Sequence, residues 1–109
     1  MSQINLAYVA GIIDGEGDLQ IKSRTRYNKT HRFAYIRISM TDKETIDFIY
    51  NIFKFGCRSI TKRKCKNPKW SDLYVWETSY SKALIVIRKI LPFLHTKRIE
   101  AENILSEFK

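Results

Sequence analysis

No apolar run in this chain is long enough to cross a bilayer. The longest, residues 83–94, is broken by Arg88 and Lys89, and a spanning helix needs roughly 18–20 apolar residues. Met1-Ser2-Gln3-Ile4-Asn5 lacks a basic n-region and a small-residue cleavage site, and the apolar residues after it run into Asp14 and Glu16. No secretion signal is expected. Cysteine is scarce as well. Cys57 and Cys65 lie eight residues apart, about 26 Å along an extended strand and far beyond disulfide reach, so both are expected as free thiols. His31 and His95 stand in no zinc-like spacing, which argues against a structural zinc site. The sequon Asn28-Lys29-Thr30 is a chance match in a chain without a secretion signal. With 44% hydrophobic and 13% aromatic residues in 109, the chain can bury a core, which excludes a disordered basic tail and fits one domain.

Acids are absent where the base is concentrated. The net charge is +9 from 20 Lys+Arg against 11 Asp+Glu, yet residues 20–40 and 54–70 hold no acid. The first carries Lys22, Arg24, Arg26, Lys29, Arg32 and Arg37; the second carries Lys54, Arg58, Lys62, Arg63, Lys64, Lys66 and Lys69. A surface selected only for solubility mixes both signs, whereas a concentrated positive field attracts phosphate. Nucleic acid is therefore the expected partner. An anionic membrane is the main rival for such charge, but no single amphipathic helix carries it.

Both segments read as β. Gln20, Lys22, Arg24 and Arg26 alternate with Leu19 and Ile21, then Tyr27-Asn28-Lys29-Thr30 forms a turn, and Ala34, Ile36, Ile38 and Met40 alternate with Tyr35, Arg37 and Ser39. This is a hairpin with one basic, aromatic-edged face, and such a ribbon can enter a major groove. The second segment leads through Asn67-Pro68-Lys69-Trp70-Ser71-Asp72 into Leu73-Tyr74-Val75-Trp76-Glu77-Thr78. Its faces are less defined, because Arg58, Ile60, Lys62 and Lys64 share one parity while Ser59, Thr61 and Arg63 share the other. A helix capped by Thr41 or Asp42 runs through Phe53, placing Ile46, Ile49, Ile52 and Phe53 inward, with Gly56 as a stop. Another starts at Ser79 or Ser81 and ends at Pro92. A last one, about 96–108, turns Ile99, Ile104, Leu105 and Phe108 inward. The order α-β-β-α-β-β-α-α predicts an α+β domain with helices on one face of an antiparallel sheet and a free basic face opposite.

The first helix, about residues 5–14 with Asn5 as N-cap, ends in Asp14-Gly15-Glu16-Gly17-Asp18. Acids at a helix C-terminus meet its partial negative charge, so a compensating cation is expected, and a divalent metal would serve. Ala7, Ala10, Gly11 and Gly15 leave one side able to approach another helix closely, offsetting the roughly 0.5–1 kcal/mol that a helical Gly costs.

Val9-Ala10-Gly11-Ile12-Ile13-Asp14-Gly15-Glu16-Gly17 resembles the nine-residue signature of the LAGLIDADG homing endonucleases, and Leu91-Pro92-Phe93-Leu94-His95-Thr96-Lys97-Arg98 resembles the family segment that supplies an active-site lysine. The resemblance covers essentially the whole chain. It implies the αββαββα fold and a homodimer in which residues 1–109 form one half, with Ala7, Ala10, Gly11 and Asp14 at the interface. Glu16 would be the catalytic acid, holding Mg²⁺ with the Gly15 carbonyl, two or more ions per dimer, with Ca²⁺ supporting binding but not cleavage. Lys97 matches the active-site lysine, and Asp42 falls where the family places a polar solvent-organising residue, commonly Gln. Direct readout would use Gln20, Lys22, Arg24, Arg26, Tyr35, Arg37 and Ser39 with Arg63, Tyr74 and Trp76.

Plainer readings stand beside these. Asp14 can serve as a helix-end hydrogen-bonding residue, Asp18 as a turn residue opening a strand, Lys97 as a helix complement or phosphate contact, and Tyr74 and Trp76 as core. The expected function is a Mg²⁺-dependent endonuclease making a staggered double-strand break in a long pseudo-palindromic duplex. An RNA-binding maturase on the same fold and a non-cleaving regulator are the alternatives. Abundant Ile, Lys and Asn point to an AT-rich genome such as an organelle or phage.

Overall fold

The computed structural model describes residues 2–63 and 65–108. Helix α1 (Gln3–Glu16) begins earlier and ends later than the sequence indicates. Ser2, not Asn5, is the N-cap: its Oγ accepts the Asn5 N–H at 3.1 Å, the bond that a Ser ahead of a helix is suited to make. At the other end Gly17 is the C-cap and donates its N–H to the Ile13 carbonyl. A Cβ on Gly17 would lie 2.8 Å from the Ile13 Cα, so only glycine lets the chain leave the helix there. Asp14, Gly15 and Glu16 thus form the last turn of α1 and do not follow it.

Strands β1 (Gly17–Arg26) and β2 (Lys29–Met40) form a regular hairpin closed by Tyr27 and Asn28, both left-handed at φ 52° and 61°. Two positive-φ residues between paired strands make the turn whose twist suits a hairpin. Asp42 caps helix α2 (Lys43–Phe53). Strands β3 (Cys57–Thr61) and β4 (Leu73–Ser79) follow, then helix α3 (Tyr80–Ile90), a 3-10 turn around Pro92 (Leu91–Phe93) and helix α4 (Arg98–Glu107). The antiparallel sheet has the order β1-β2-β4-β3, and the α+β reading stands.

The helices cover one sheet face. Val9, Ala10 and Ile13 of α1, Ile46 and Ile49 of α2 and Val86, Ile87 and Ile90 of α3 join Leu19, Ala34, Ile36, Ile38 and Trp76 of the sheet in one buried core. α4 closes it with Ala101 and Ile104, Leu105 and Phe108 packing alongside. Ile99, expected inward, is 73% exposed. It lies two residues before Ala101, about 200° round the helix from a stripe at 101, 104, 105 and 108.

Candidate functional site

The C-terminus of α1 is tied to the segment before α4. The Asp14 carboxylate accepts the backbone N–H groups of His95 at 2.9 Å and Lys97 at 3.0 Å. The Lys97 ammonium returns to α1, donating to the carbonyls of Ile13 at 3.0 Å and Asp14 at 3.2 Å. Those oxygens belong to the last helical turn, where negative partial charge gathers. Lys97 therefore supplies the compensating cation that the acid-rich helix end calls for. It also locks the turn that carries Glu16. Asp14, read from the sequence as an interface residue, is committed to a contact within its own chain.

Glu16 itself is exposed and makes no hydrogen bond or ion pair among the described residues. Gly15 beside it is open, with nothing within 4 Å of where a Cβ would stand. The outward side of α1 continues through Ile4, Ala7, Tyr8 and Gly11, all exposed, and Gly11 is as open as Gly15. Ala10, grouped with these by its size, is 0% exposed and belongs to the protomer's own core. Its neighbours Leu6, Val9 and Ile13 show why: they set the inward stripe of α1, and Ala10 falls on it.

β1 leaves this helix end at Gly17, and the free sheet face starts with it. The register aligns Asp18 with Arg37, Gln20 with Tyr35, Lys22 with Phe33, Arg24 with His31 and Arg26 with Lys29. Because Leu19 and Ile36 are buried on the helix side, the alternation of strand side chains puts Gln20, Lys22, Arg24, Arg26, Tyr35, Arg37 and Ser39 on the free side. Lys22 stands over the Tyr35 ring at 3.7 Å from its centroid. Burial and the adjacent Glu77, which accepts the Tyr35 hydroxyl, push the Tyr35 pKa above its ordinary value.

Of the readout residues expected from the second strand pair, Tyr74 and Trp76 lie on the helix side and Arg63 lies in the loop after β3. Trp76 is 0% exposed, its indole N–H donates to the Phe55 carbonyl at 3.0 Å and its ring stacks on Phe53. The route from α2 to β3 is built around it, since Gly56, at φ 96°, would bring a Cβ within 2.6 Å of the indole nitrogen. Tyr74 follows Trp76 in parity, so it faces α2 and packs against the core. Arg58 goes the same way, paired with Asp47 at 2.9 Å and stacked over Tyr50. Arg63 donates its N–H to Asp72 and its Nε–H to the Ser71 carbonyl. Lys64 lies outside the described residues.

Asp42 is occupied as a helix cap. One oxygen accepts the Glu44 N–H at 3.2 Å and the other the Thr45 hydroxyl at 2.6 Å. Among the described residues no hydrogen bond or ion pair joins it to Glu16 or Lys97. The sequence reading passed over Glu77, an acid on the free sheet face across from Arg37. Its signal is its position next to an inward Trp in a strand, but Val75 on the other side of that Trp hides the alternation.

No family model and no curated protein matches the chain. Solved structures do match its architecture. The homing endonuclease I-CvuI, in complex with the I-CreI target in the presence of Mg and with the DNA not cleaved, superposes at TM-score 0.76 and 22% identity over 95% of this chain and 65% of its own. The archaeal intron-encoded homing endonuclease I-Vdi141I, complexed with DNA, matches at TM-score 0.70 and 14% identity over 94% of this chain and 65% of its own. The LAGLIDADG homing endonuclease I-GzeII, in complex with its DNA target, matches at TM-score 0.71 and 19% identity over 93% of this chain and 34% of its own. The chain thus spans less than two thirds of these relatives. What it shares with them is architecture, and the chain has the α+β fold of the LAGLIDADG homing endonucleases.

Proposed function

We propose that the chain is one half of a homodimeric, Mg²⁺-dependent, site-specific endonuclease that makes a staggered double-strand break in a long pseudo-palindromic duplex. The observation that carries this reading is the end of α1. An exposed carboxylate without a partner among the described residues stands on a turn fixed by Asp14 and Lys97, at the point where the basic sheet face begins. An acid held so firmly and left unpaired beside a polyanion-binding face has little structural reason to be there. The DNA complexes of I-CvuI and I-Vdi141I support duplex DNA as the partner.

Glu16 and the Gly15 carbonyl are oxygen donors that suit a hard divalent cation, and the open space at Gly15 leaves room for one. Among the described residues no group of three or more His, Cys, Asp and Glu could hold a metal by itself. Each protomer thus offers a partial set, completed by phosphate, by water or by the matching set of a second copy. The cation would supply positive charge to the scissile phosphate and raise the acidity of a water. The chain's own residues position. Lys97 holds the last turn of α1 and adds a charge close to the phosphate, while the free-face bases neutralise the backbone and fix the duplex in register. The exposed stripe of Ile4, Ala7, Tyr8, Gly11 and Gly15 is the surface on which a second copy would pack, bringing two Glu16 residues to two strands.

The test is to sequence the ends formed when the protein and Mg²⁺ meet a randomised duplex library, with Ca²⁺ as a binding-only control. Paired, staggered ends flanking a two-fold-related consensus are expected. Glu16→Gln should lower cutting by about 10²-fold or more and leave binding nearly unchanged. Bound DNA without new ends under Mg²⁺ would overturn catalysis, and a monomer by sedimentation, with and without DNA, would overturn the dimer.

A further inference from the structure

Acids stand on the free face of the sheet in one row, beside Arg37. Asp18 of β1, Arg37 of β2, Glu77 of β4 and Cys57 of β3 lie side by side across it. Glu77 is half-buried there, and the Tyr35 hydroxyl donates to its Oε2. Arg37 stands two residues from Tyr35 on the same side of β2. Tyr35, Glu77 and Ser79, with Gly56, Cys57 and Lys82 of α3, line a concavity of about 320 Å³.

A carboxylate accepts hydrogen bonds and donates none, and it repels phosphate. Tyr35 and the cross-strand Arg37 compensate that charge in part, and a donor from the duplex would take up the acceptor capacity that is left. Tyr35 fixes one carboxylate oxygen, and the remaining acceptor capacity is held in place with it. In the major groove the exocyclic amino groups of cytosine and adenine are donors, while guanine and thymine present acceptors. Arg37, the cross-strand neighbour, brings donors that match guanine O6 and N7. The pair that offers both patterns is C·G.

We infer that Glu77, oriented by Tyr35, is a specificity-determining residue that selects a base bearing an exocyclic amino group, cytosine before adenine because Arg37 meets the guanine paired to it. This rests on duplex DNA as the partner of the free face. Glu77 takes no part in the chemistry at Glu16. It decides which sequence is presented there.

The experiment selects duplexes bound in Ca²⁺ from a randomised library by the full chain, by Glu77→Gln, by Glu77→Ala and by Tyr35→Phe. The wild type should show cytosine at one position in each half-site. Glu77→Ala should lose about tenfold of that preference while every other position keeps its letter. Glu77→Gln, which preserves shape and adds a donor, should move the position to adenine. Tyr35→Phe should keep the letter and weaken it, an effect that a purely structural Tyr35–Glu77 bond would not confine to one base pair. Consensus sequences of Glu77→Ala and Glu77→Gln that coincide with the wild type would overturn the inference alone. Should Glu77→Ala not fold, the Gln variant decides. A wild type that enriches no sequence would overturn the DNA reading and this one with it.

Discussion

The two strand pairs of the sheet carry nearly the same charge and treat it in opposite ways. β1 and β2, ten and twelve residues long, are joined by two residues and present Lys22, Arg24, Arg26 and Arg37 on a face that no helix covers. From Lys22 to Arg32 the hairpin is exposed on both sides. β3 and β4, five and seven residues long, are joined by residues 62–72, and three of their bases have local partners. Arg58 pairs with Asp47, Lys62 with Asp72 at 3.8 Å, and Arg63 with its own loop. A run of basic residues therefore gives an open basic face where regular pairing turns alternate side chains to one side. Where the strands are short and the connection is long, three bases of the run hold a loop or a helix instead.

The sharpest way to break this comparison is at Trp76. As a base-contacting residue it would be dispensable for folding. As the centre of the α2–β3 junction, enclosed by Phe53, Phe55 and Gly56, it is not. Trp76→Ala should cost about 3–5 kcal/mol of stability, measured by denaturant unfolding without DNA, a large share of what a domain of this size holds. Trp76→Phe should recover most of it. A Trp76→Ala variant with wild-type stability and weakened DNA binding would move β4 to the other face and dissolve the contrast between the two pairs.

That residue also marks where the sequence stops being legible. In the hairpin, strict alternation over many residues fixes the faces, and the expected pair of strands and free side are those observed, although the turn is only Tyr27-Asn28 and Lys29 and Thr30, expected in it, pair with Arg26 and Thr25. The order of elements was equally readable, since helical spacing and turn residues separate every one. The second pair has adjacent apolar residues, Val75 and Trp76, so parity alone leaves two solutions. The choice is made by long-range contacts, the Phe55 carbonyl and the left-handed Gly56, that no local pattern encodes. The α1 end was legible in part. The acid-rich turn demanded a cation, but that Lys97 supplies it from 84 residues away, and that Asp14 anchors the segment carrying Lys97, depends on how α1 and the chain before α4 meet. Asp42, placed by resemblance near the chemistry, is accounted for by helix capping, a role its position ahead of α2 also signals.

A milder test sets one arginine from each pair against the other. Arg24→Ala removes an exposed charge from the open face, and the slope of log K against log salt for duplex binding should fall by about one. Arg58→Ala removes a charge already paired with Asp47 on the α2 side. Its slope should match the wild type, with stability changed by no more than about 1 kcal/mol, as for exposed ion pairs in general. Equal slopes for the two variants would mean that both strand pairs face the duplex.

The smallest effect is expected at the tip of the hairpin, where regular pairing itself has a cost. Tyr27 and Asn28 are both left-handed, a conformation that Asn tolerates and a bulky side chain resists. Tyr27 is 85% exposed, and Arg26 stands over its ring, 5.4 Å from its centroid, a contact worth about 0.5–1 kcal/mol at such a site. Replacing the pair by Asn-Gly, the residues this turn prefers, should relieve about 1–2 kcal/mol of left-handed strain and forfeit that contact. The net gain is about 0.5–1 kcal/mol, seen as a rise of a few degrees in the thermal midpoint. Duplex affinity should be unchanged if the tip only closes the hairpin. A variant that is more stable and binds less tightly would instead extend the binding surface to Tyr27, beyond the last paired residues of β1 and β2.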